Sequence, residues 1–194
     1  MDHISLLLID LQNDFFPGGT LPVRDAHEIV GPTNEYIRKF SDRKLPIFVS
    51  RDWHPPVSGH FKKGGGNWPP HCVQGTEGAR FYPEIRVPPN AIVISKGMDP
   101  EEDAYSDFQG CGPDEKAFGT ILGAMGIMEL YVAGLATDYC VQATVLDACS
   151  LGYRVTILLD GIRGVNIDVN DSARAIDRML RACAKTATLE TVFT

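Results

Sequence analysis

Apolar residues along this chain come in short, bulky bursts. Ile4–Ile9, Pro46–Ser50, Ala91–Ser95, Leu130–Ala133 and Tyr153–Leu159 are each four to seven residues long, rich in Val, Ile and Leu, with little polar alternation. Runs of that kind predict strands buried on both faces, as in a parallel sheet covered by helices. Between them the period changes. Asp25–Phe40 sets Ile29, Val30, Ile37 and Phe40 against Glu28, Arg38 and Lys39. Glu115–Met125, Tyr139–Leu151 and Ser172–Ala184 show the same helical spacing. Alternating strands and helices predict an α/β fold in three layers, a mostly parallel central sheet with helices on both faces and right-handed crossovers. There is no internal repeat or composition break, so residues 1–194 are expected to form a single domain.

One stretch departs from this pattern. Residues 51–113 hold 18 of the 32 Gly and Pro residues, including Gly64-Gly65-Gly66, Pro69-Pro70 and Pro88-Pro89. A long irregular segment inside a compact domain reads as a functional loop rather than a linker, because a linker would separate two cores. Both tryptophans (Trp53, Trp68) and three of the five histidines (His54, His60, His71) fall here. A metal- and substrate-binding loop over about 51–90 is the expectation.

Composition narrows the function classes. At 44% apolar and 22% charged the chain has enough core material to fold. Its net charge of −7 argues against a nucleic-acid binder, which needs a basic footprint, and against adsorption to anionic membranes. No apolar run approaches the roughly 18–20 residues of a membrane span. The first residues lack a basic segment followed by a cleavable apolar stretch, so no signal peptide and a cytoplasmic location are expected. The five cysteines are odd in number, scattered and without a CxxC, which predicts reduced thiols. Cys149 and Cys183, in amphipathic helices, are expected to be small buried hydrophobes.

Parallel sheets bind ligands outside the carboxyl ends of their strands. The first polar residues after the apolar runs are Asp10, then Arg51-Asp52-Trp53-His54, then Lys96, then Gly134-Leu135-Ala136-Thr137-Asp138-Tyr139-Cys140. One edge thus receives a carboxylate, a carboxylate–imidazole pair, an amine and a thiol. Cys140, in the first turn of the following helix, gains nucleophilic character from the helix dipole; burial as an inert thiol is the competing reading. Asp10 and Lys96 suit a structural salt bridge. With a thiol beside them they also suit acid–base work, Asp10 accepting the Cys140 proton and Lys96 stabilising the ionised forms.

Asp52 and His54, two apart in an extended segment, project to the same side, and the loop can return His60 and His71 to them. Oxygen and imidazole donors suit zinc, and also manganese or iron. Cys72 is set aside because it adjoins His71. Among the loop aromatics, Phe15 and Trp68 are positioned to flank a flat substrate; the rest read as packing.

These residues resemble a known family. Ile9-Asp10-Leu11-Gln12-Asn13-Asp14-Phe15 with Pro17-Gly18-Gly19, Arg51-Asp52-Trp53-His54, Gly59-His60-Phe61, Trp68-Pro69-Pro70-His71-Cys72-Val73, Lys96-Gly97 and Gly134-Leu135-Ala136-Thr137-Asp138-Tyr139-Cys140-Val141 resemble, in order, the nicotinamidases within the isochorismatase-like cysteine hydrolases. The match covers roughly residues 4–165. The resemblance implies an amidase converting nicotinamide, and by extension pyrazinamide, to the acid and ammonia through a cysteine thioester, in NAD salvage. It makes Asp10, Lys96 and Cys140 the triad. It makes Asp52, His54 and His71 ligands of one divalent metal, most simply zinc, with His60 at a fourth position that only some members use. It further implies a cis peptide between Ala136 and Thr137, an oxyanion hole from the backbone at Ala136, Thr137 and Cys140, ring contacts from Phe15 and Trp68, and Tyr105 in the pocket wall. The metal there holds the pyridine nitrogen. Tyr139 departs from relatives that carry His beside the nucleophile, and Lys62–Asn67 has no place in the resemblance. A metal-free relative acting on another small amide, a metal-hydroxide enzyme in which Cys140 is structural, and a catalytically silent binding protein are the rival readings. The sequence leaves a homo-oligomer open.

Overall fold

The first apolar burst shows how the interior divides. In the computed structural model, which describes residues 3–193, Ile4–Ile9 forms strand β1 and its side chains alternate between two cores. Leu6 and Leu8 join Tyr36, Phe40, Ile47 and Val49 on one side. Leu7 and Ile9 join Phe48, Phe118, Leu122, Val132, Val145 and Met179 on the other. A strand apolar on both of its alternating faces demands cover on both.

That cover comes from helices α1 (Val30–Asp42) on the first face and α2 (Phe118–Ala124), α3 (Gln142–Ser150) and α4 (Asp171–Ala182) on the second. The remaining strands are β2 (Ile47–Asp52), β3 (Ile92–Lys96), β4 (Glu129–Leu135), β5 (Arg154–Arg163) and β6 (Lys185–Ala187). They pair in the order β3-β2-β1-β4-β5-β6, every described pair parallel. The expected three layers are present, and the sheet is parallel throughout. From β1 the chain steps outward through β2 and β3, then returns to place β4 on the other side of β1. The crevice between the carboxyl ends of β1 and β4 is therefore the switch point where such sheets bind ligands.

Several boundaries differ from expectation for local reasons. Helix α1 is preceded by a 3-10 turn, Ala26–Ile29, which Asp25 enters with a left-handed φ of 56°. A 3-10 turn at Pro113–Glu115 delays α2 to Phe118. Strand β5 runs past Leu159 to Arg163, with a register shift against β4 between Val132 and Gly134. Strand β6 carries no apolar burst because it lies at the sheet edge. Arg51 and Asp52 belong to β2, so the irregular segment begins after them.

The cysteine expectation is corrected. Cys149 and Cys183 form a disulfide joining α3 to the residue that follows α4, leaving Cys72, Cys111 and Cys140 as the free thiols. Cys183 is exposed rather than buried. The pairing depends on how α3 packs against α4, which spacing along the chain does not reveal. Among the described residues no helix is long and apolar enough to cross a membrane.

Candidate active site

Three strand ends build the first cluster. Asp10 follows β1 with a left-handed φ of 50°, a conformation that non-glycine residues adopt mainly where surrounding structure fixes them. Lys96 ends β3. Cys140 lies in a π-helical turn, Thr137–Val141, between β4 and α3. All three are buried. The Lys96 Nζ donates to Asp10 Oδ2 at 2.6 Å and also to Asp52 Oδ1, and it lies 3.5 Å from Cys140 Sγ. The carboxylates of Asp10 and Asp52 and the Cys140 sulfur sit within 4.8 Å of one another.

Burial alone would lower the Lys96 pKa, but the Asp10 and Asp52 carboxylates outweigh it and hold the ammonium well above its ordinary value. Burial raises Asp10, with Lys96 pulling down and Asp52 pushing up; the balance is a raised carboxyl. Asp52 goes the other way: burial is outweighed by Lys96 and by the His54 and His71 rings, which hold it well below its ordinary value. The Cys140 thiol is pushed well up by burial, against the pull of Lys96 and with a further push from Asp10 and Asp52. This corrects the expectation of a dipole-lowered thiol: burial favours the neutral thiol, so ionising it calls for an adjacent base.

In the turn carrying Cys140, Asp138 accepts the backbone N–H groups of Val165 and Asn166 at 2.9 and 2.7 Å, fastening the chain just past β5 to this turn. The cis peptide lies between Leu135 and Ala136, one bond earlier than expected, and neither residue is a proline that would have marked it. The Ala136 carbonyl accepts from the N–H groups of Tyr139 and Val141. Gly134, at φ 123°, passes so close to β1 that a Cβ would fall 2.1 Å from the Ile9 carbonyl oxygen.

The second cluster comes from β2 and the loop after it. His54, His60 and His71 are buried with ring nitrogens within 4.8 Å of one another. Each ring is held by its Nδ1: His54 on the Gly97 carbonyl at 3.0 Å, His71 on the Pro69 carbonyl at 2.8 Å, and His60 on the Asp103 carboxylate. Donation from Nδ1 leaves Nε2 as the lone-pair nitrogen, the tautomer a metal-ligating histidine needs. The Nε2 atoms of His54 and His71 both face Asp52 Oδ2 at 3.6 Å, and the buried His54 Nε2 has no hydrogen-bond partner. An orphaned, buried imidazole nitrogen beside a carboxylate fits a divalent cation. Gly97 is required here, since a Cβ at its φ of 68° would fall 2.5 Å from the His54 ring.

The loop is tied back to the strand ends. Gln12 brackets the Asp52 backbone, accepting its N–H at 2.8 Å and donating to its carbonyl at 2.7 Å. Asp14 accepts the N–H of Cys72 at 2.7 Å, and the Cys72 carbonyl accepts the N–H of His54. Cys72 is thus a backbone support outside the histidine cluster. The segment Lys62–Asn67, unplaced by sequence, is a glycine turn: Lys62 donates to the Trp68 carbonyl, and Phe61 bridges Trp68. It presents Trp68.

Between the two clusters lies a small pocket with about 30 Å³ of free internal volume. Phe15, Trp68, Tyr105, Ala136, Tyr139, Cys140, Asp52, His60 and His71 line it, with Leu21, Val23 and Val165, which sequence reading missed. The Trp68 indole donates to the Tyr105 hydroxyl at 2.8 Å, and Tyr139 meets Trp68 edge-on at 4.9 Å. Tyr139 therefore belongs to the aromatic wall. Trp53 instead stacks under Arg51, whose guanidinium carbon is 3.7 Å from the ring centroid. Also missed were Gln12, Ser50, Asp103 and Asp107. Asp103 carries no local signal, whereas Ser50, the last residue of an apolar burst, was visible as a polar group entering the sheet.

Fold and site together define a three-layer α/β protein with a buried acid–amine–thiol cluster beside a metal-fitting histidine cluster. The chain belongs to the isochorismatase domain family, whose model matches residues 5–191. It is 42% identical to the nicotinamidase of Escherichia coli (strain K12), over 95% of this chain and 94% of that protein. The crystal structure of Pyrococcus horikoshii pyrazinamidase in complex with zinc superposes with a TM-score of 0.88 at 40% identity, covering 96% of this chain and 99% of that one. PnC1 from L. infantum in complex with nicotinate gives a TM-score of 0.86 at 29% identity, with 97% and 93% covered.

Proposed function

We propose that this protein is an amidohydrolase that converts nicotinamide to nicotinic acid and ammonia, acts also on pyrazinamide, and serves NAD salvage in the cytoplasm as one hydrolase domain. One observation carries the reading: an aromatic-walled pocket has the Asp10–Lys96–Cys140 cluster on one side and His54, His60 and His71 with Asp52 on the other. The pocket's ring-lined wall suits a flat heteroaromatic amide, and the E. coli and Pyrococcus relatives are named for such substrates.

In this reading Asp10 takes the Cys140 proton as sulfur attacks the amide carbon, then delivers it to the departing nitrogen so that ammonia leaves and a thioester remains. Asp10 next takes a proton from water as it attacks the thioester, and returns it to sulfur. Lys96 keeps Asp10 oriented and offsets the charge that forms at Cys140. Backbone N–H groups of Ala136, Thr137 and Cys140, around the cis peptide, are the donors assigned to the oxyanion. Phe15, Trp68 and Tyr105 hold the ring. Asp52, His54, His60 and His71 hold one divalent ion, with zinc the first choice for this donor set. When bound, the ion supplies an electrophilic anchor for the pyridine nitrogen, a positioning role.

The test is ammonia release from nicotinamide by the metal-loaded protein, beside Cys140→Ala and a chelator-stripped sample. Loss in both supports a thiol nucleophile with an anchored ring. Turnover surviving in Cys140→Ala would replace it with metal-activated water, and no turnover by the loaded wild type would end the nicotinamide assignment.

A further inference from the structure

On the face of β2 that turns away from the reacting cluster stands a charge with no counter-charge. Neighbours along a strand alternate faces, so Arg51 lies with Val49 and Trp53 rather than with Asp52, and it is half-buried. Its guanidinium stacks on the Trp53 ring, 3.7 Å from carbon to centroid, and its Nε donates to Ser95 Oγ of β3 at 2.9 Å. Among the described residues it pairs with no carboxylate, whereas Arg38, Arg80, Arg154 and Arg163 each do. Burial opposes its charge, and no acid in the chain offsets that cost.

Arg51 and Ser95 are register partners, and both line an open groove at the β3 edge of the sheet with about 590 Å³ of free volume. Val93, Met98 and Pro113 give the groove apolar surface, and the exposed Asp114 and Glu115 give it an acidic side. It shares no lining residue with the aromatic pocket. Ser95 already exchanges backbone hydrogen bonds with Cys111 at 2.8 and 3.0 Å, so an incoming peptide cannot add as a strand at that point. Recognition falls to the side chains.

We propose that this groove is a second ligand site, separate from the aromatic pocket, that binds a small organic monocarboxylate through Arg51. Stacking on Trp53 and the bond to Ser95 hold the guanidinium still and leave its two Nη groups without a partner among the described residues. That planar fork matches the two oxygens of a carboxylate, and its ordering is already complete before a ligand arrives. The apolar residues suit the body of an organic acid. Asp114 and Glu115 disfavour a dianion such as sulfate more than a single carboxylate. The site stands back to back with the reacting cluster, because Asp52 and Lys96 are the next register pair along the same two strands.

The chain's two tryptophans report the two sites separately, Trp53 against Arg51 and Trp68 in the aromatic pocket. The experiment titrates the full-length, metal-loaded, isotope-labelled protein with benzoate, and a parallel sample with inorganic sulfate, while nuclear magnetic resonance follows both indole N–H signals. Benzoate should shift the Trp53 signal saturably with a Kd of roughly 1–10 mM, and sulfate should leave it in place. Arg51→Gln should weaken benzoate binding at Trp53 by at least about tenfold, the usual cost of a lost charged hydrogen-bond pair. Arg51→Lys keeps the charge but not the fork, and it should weaken binding as well; should Arg51→Gln not fold, Arg51→Lys decides. An unmoved Trp53 signal overturns the proposal, as does unchanged affinity in either variant. An equal response to sulfate would reduce Arg51 to an unselective cation, and movement of Trp68 alone would put benzoate in the aromatic pocket; either sinks the assignment.

Discussion

The two halves of the site are built in opposite ways. Asp10 and Lys96 extend sheet strands whose ladders and two apolar faces hold them in place, and Cys140 follows β4 directly. The histidines ride on a segment with one short 3-10 turn and isolated bridges, such as His54 with Val73 and Phe61 with Trp68. The first cluster is internally partnered, with one ammonium bridging two carboxylates. The second is not, since a buried imidazole nitrogen is left without a partner. The difference teaches where preorganisation comes from. The sheet fixes the acid–amine–thiol cluster by itself, whereas the loop holds imidazole donors of a kind that suits a divalent cation. Asp52 is the hinge between them, giving one oxygen to Lys96 and turning the other toward His54 and His71.

The sharpest break in this comparison is Cys140→Ala, which should lower nicotinamide turnover by at least about 10⁴-fold, as removal of a nucleophile does, while isothermal titration still shows zinc binding. Stripping the ion should act on the other half. Turnover should fall by about a hundredfold or more through lost positioning, and hydrogen exchange should speed up across residues 53–91 while β1, β3 and β4 stay protected. Uniform loosening of both halves would contradict the division. A milder change is Asp103→Ala, which removes the acceptor for His60 Nδ1; metal affinity should fall by roughly 10–100-fold if His60 is a ligand, and an unchanged affinity would restrict the ligands to Asp52, His54 and His71.

Two further changes should register in stability. Cys149→Ser with Cys183→Ser opens a bridge spanning 34 residues, which loop-closure entropy values at about 3–4 kcal/mol; denaturant unfolding should show that loss with kcat unchanged. The smallest effect concerns pH. Burial holds the Asp107 carboxyl well above its ordinary value, so folding favours a proton there that the unfolded chain releases above roughly pH 4. The unfolded state then binds fewer protons, so this carboxyl makes stability fall as pH rises from there toward its raised native pKa. Asp107→Asn lacks that penalty. Its stability relative to wild type should rise as pH climbs from about 4 toward that raised native pKa, by up to about 1.4 kcal/mol per pH unit, and a difference constant with pH would mean Asp107 titrates alike in both states.

Much of this was legible before any coordinates. Unalternating apolar bursts such as Ile4–Ile9 and Pro46–Ser50 signal a sheet covered on both faces, because a strand cannot leave either apolar face in water. The first polar residue after each burst then falls at the carboxyl edge, which is why Asp10, Asp52, Lys96 and the turn to Cys140 could be assembled from sequence. The Gly/Pro-rich segment with its histidines was likewise visible as the loop that completes the site.

What sequence left undetermined depends on contacts between residues far apart in the chain. Whether Cys149 meets Cys183 is decided by the docking of α3 on α4. Whether the Cys140 thiol is raised or lowered is decided by burial among Asp10, Asp52 and Lys96, and there it outweighed the helix-turn argument. The supports of the histidines, Gly97, Pro69 and Asp103, and the buried, unpartnered acid Asp107 are set the same way. Strand placement follows from a period that each segment carries within itself. Protonation, tautomer and pairing follow from the local dielectric and from partners that only the folded chain brings within hydrogen-bonding distance.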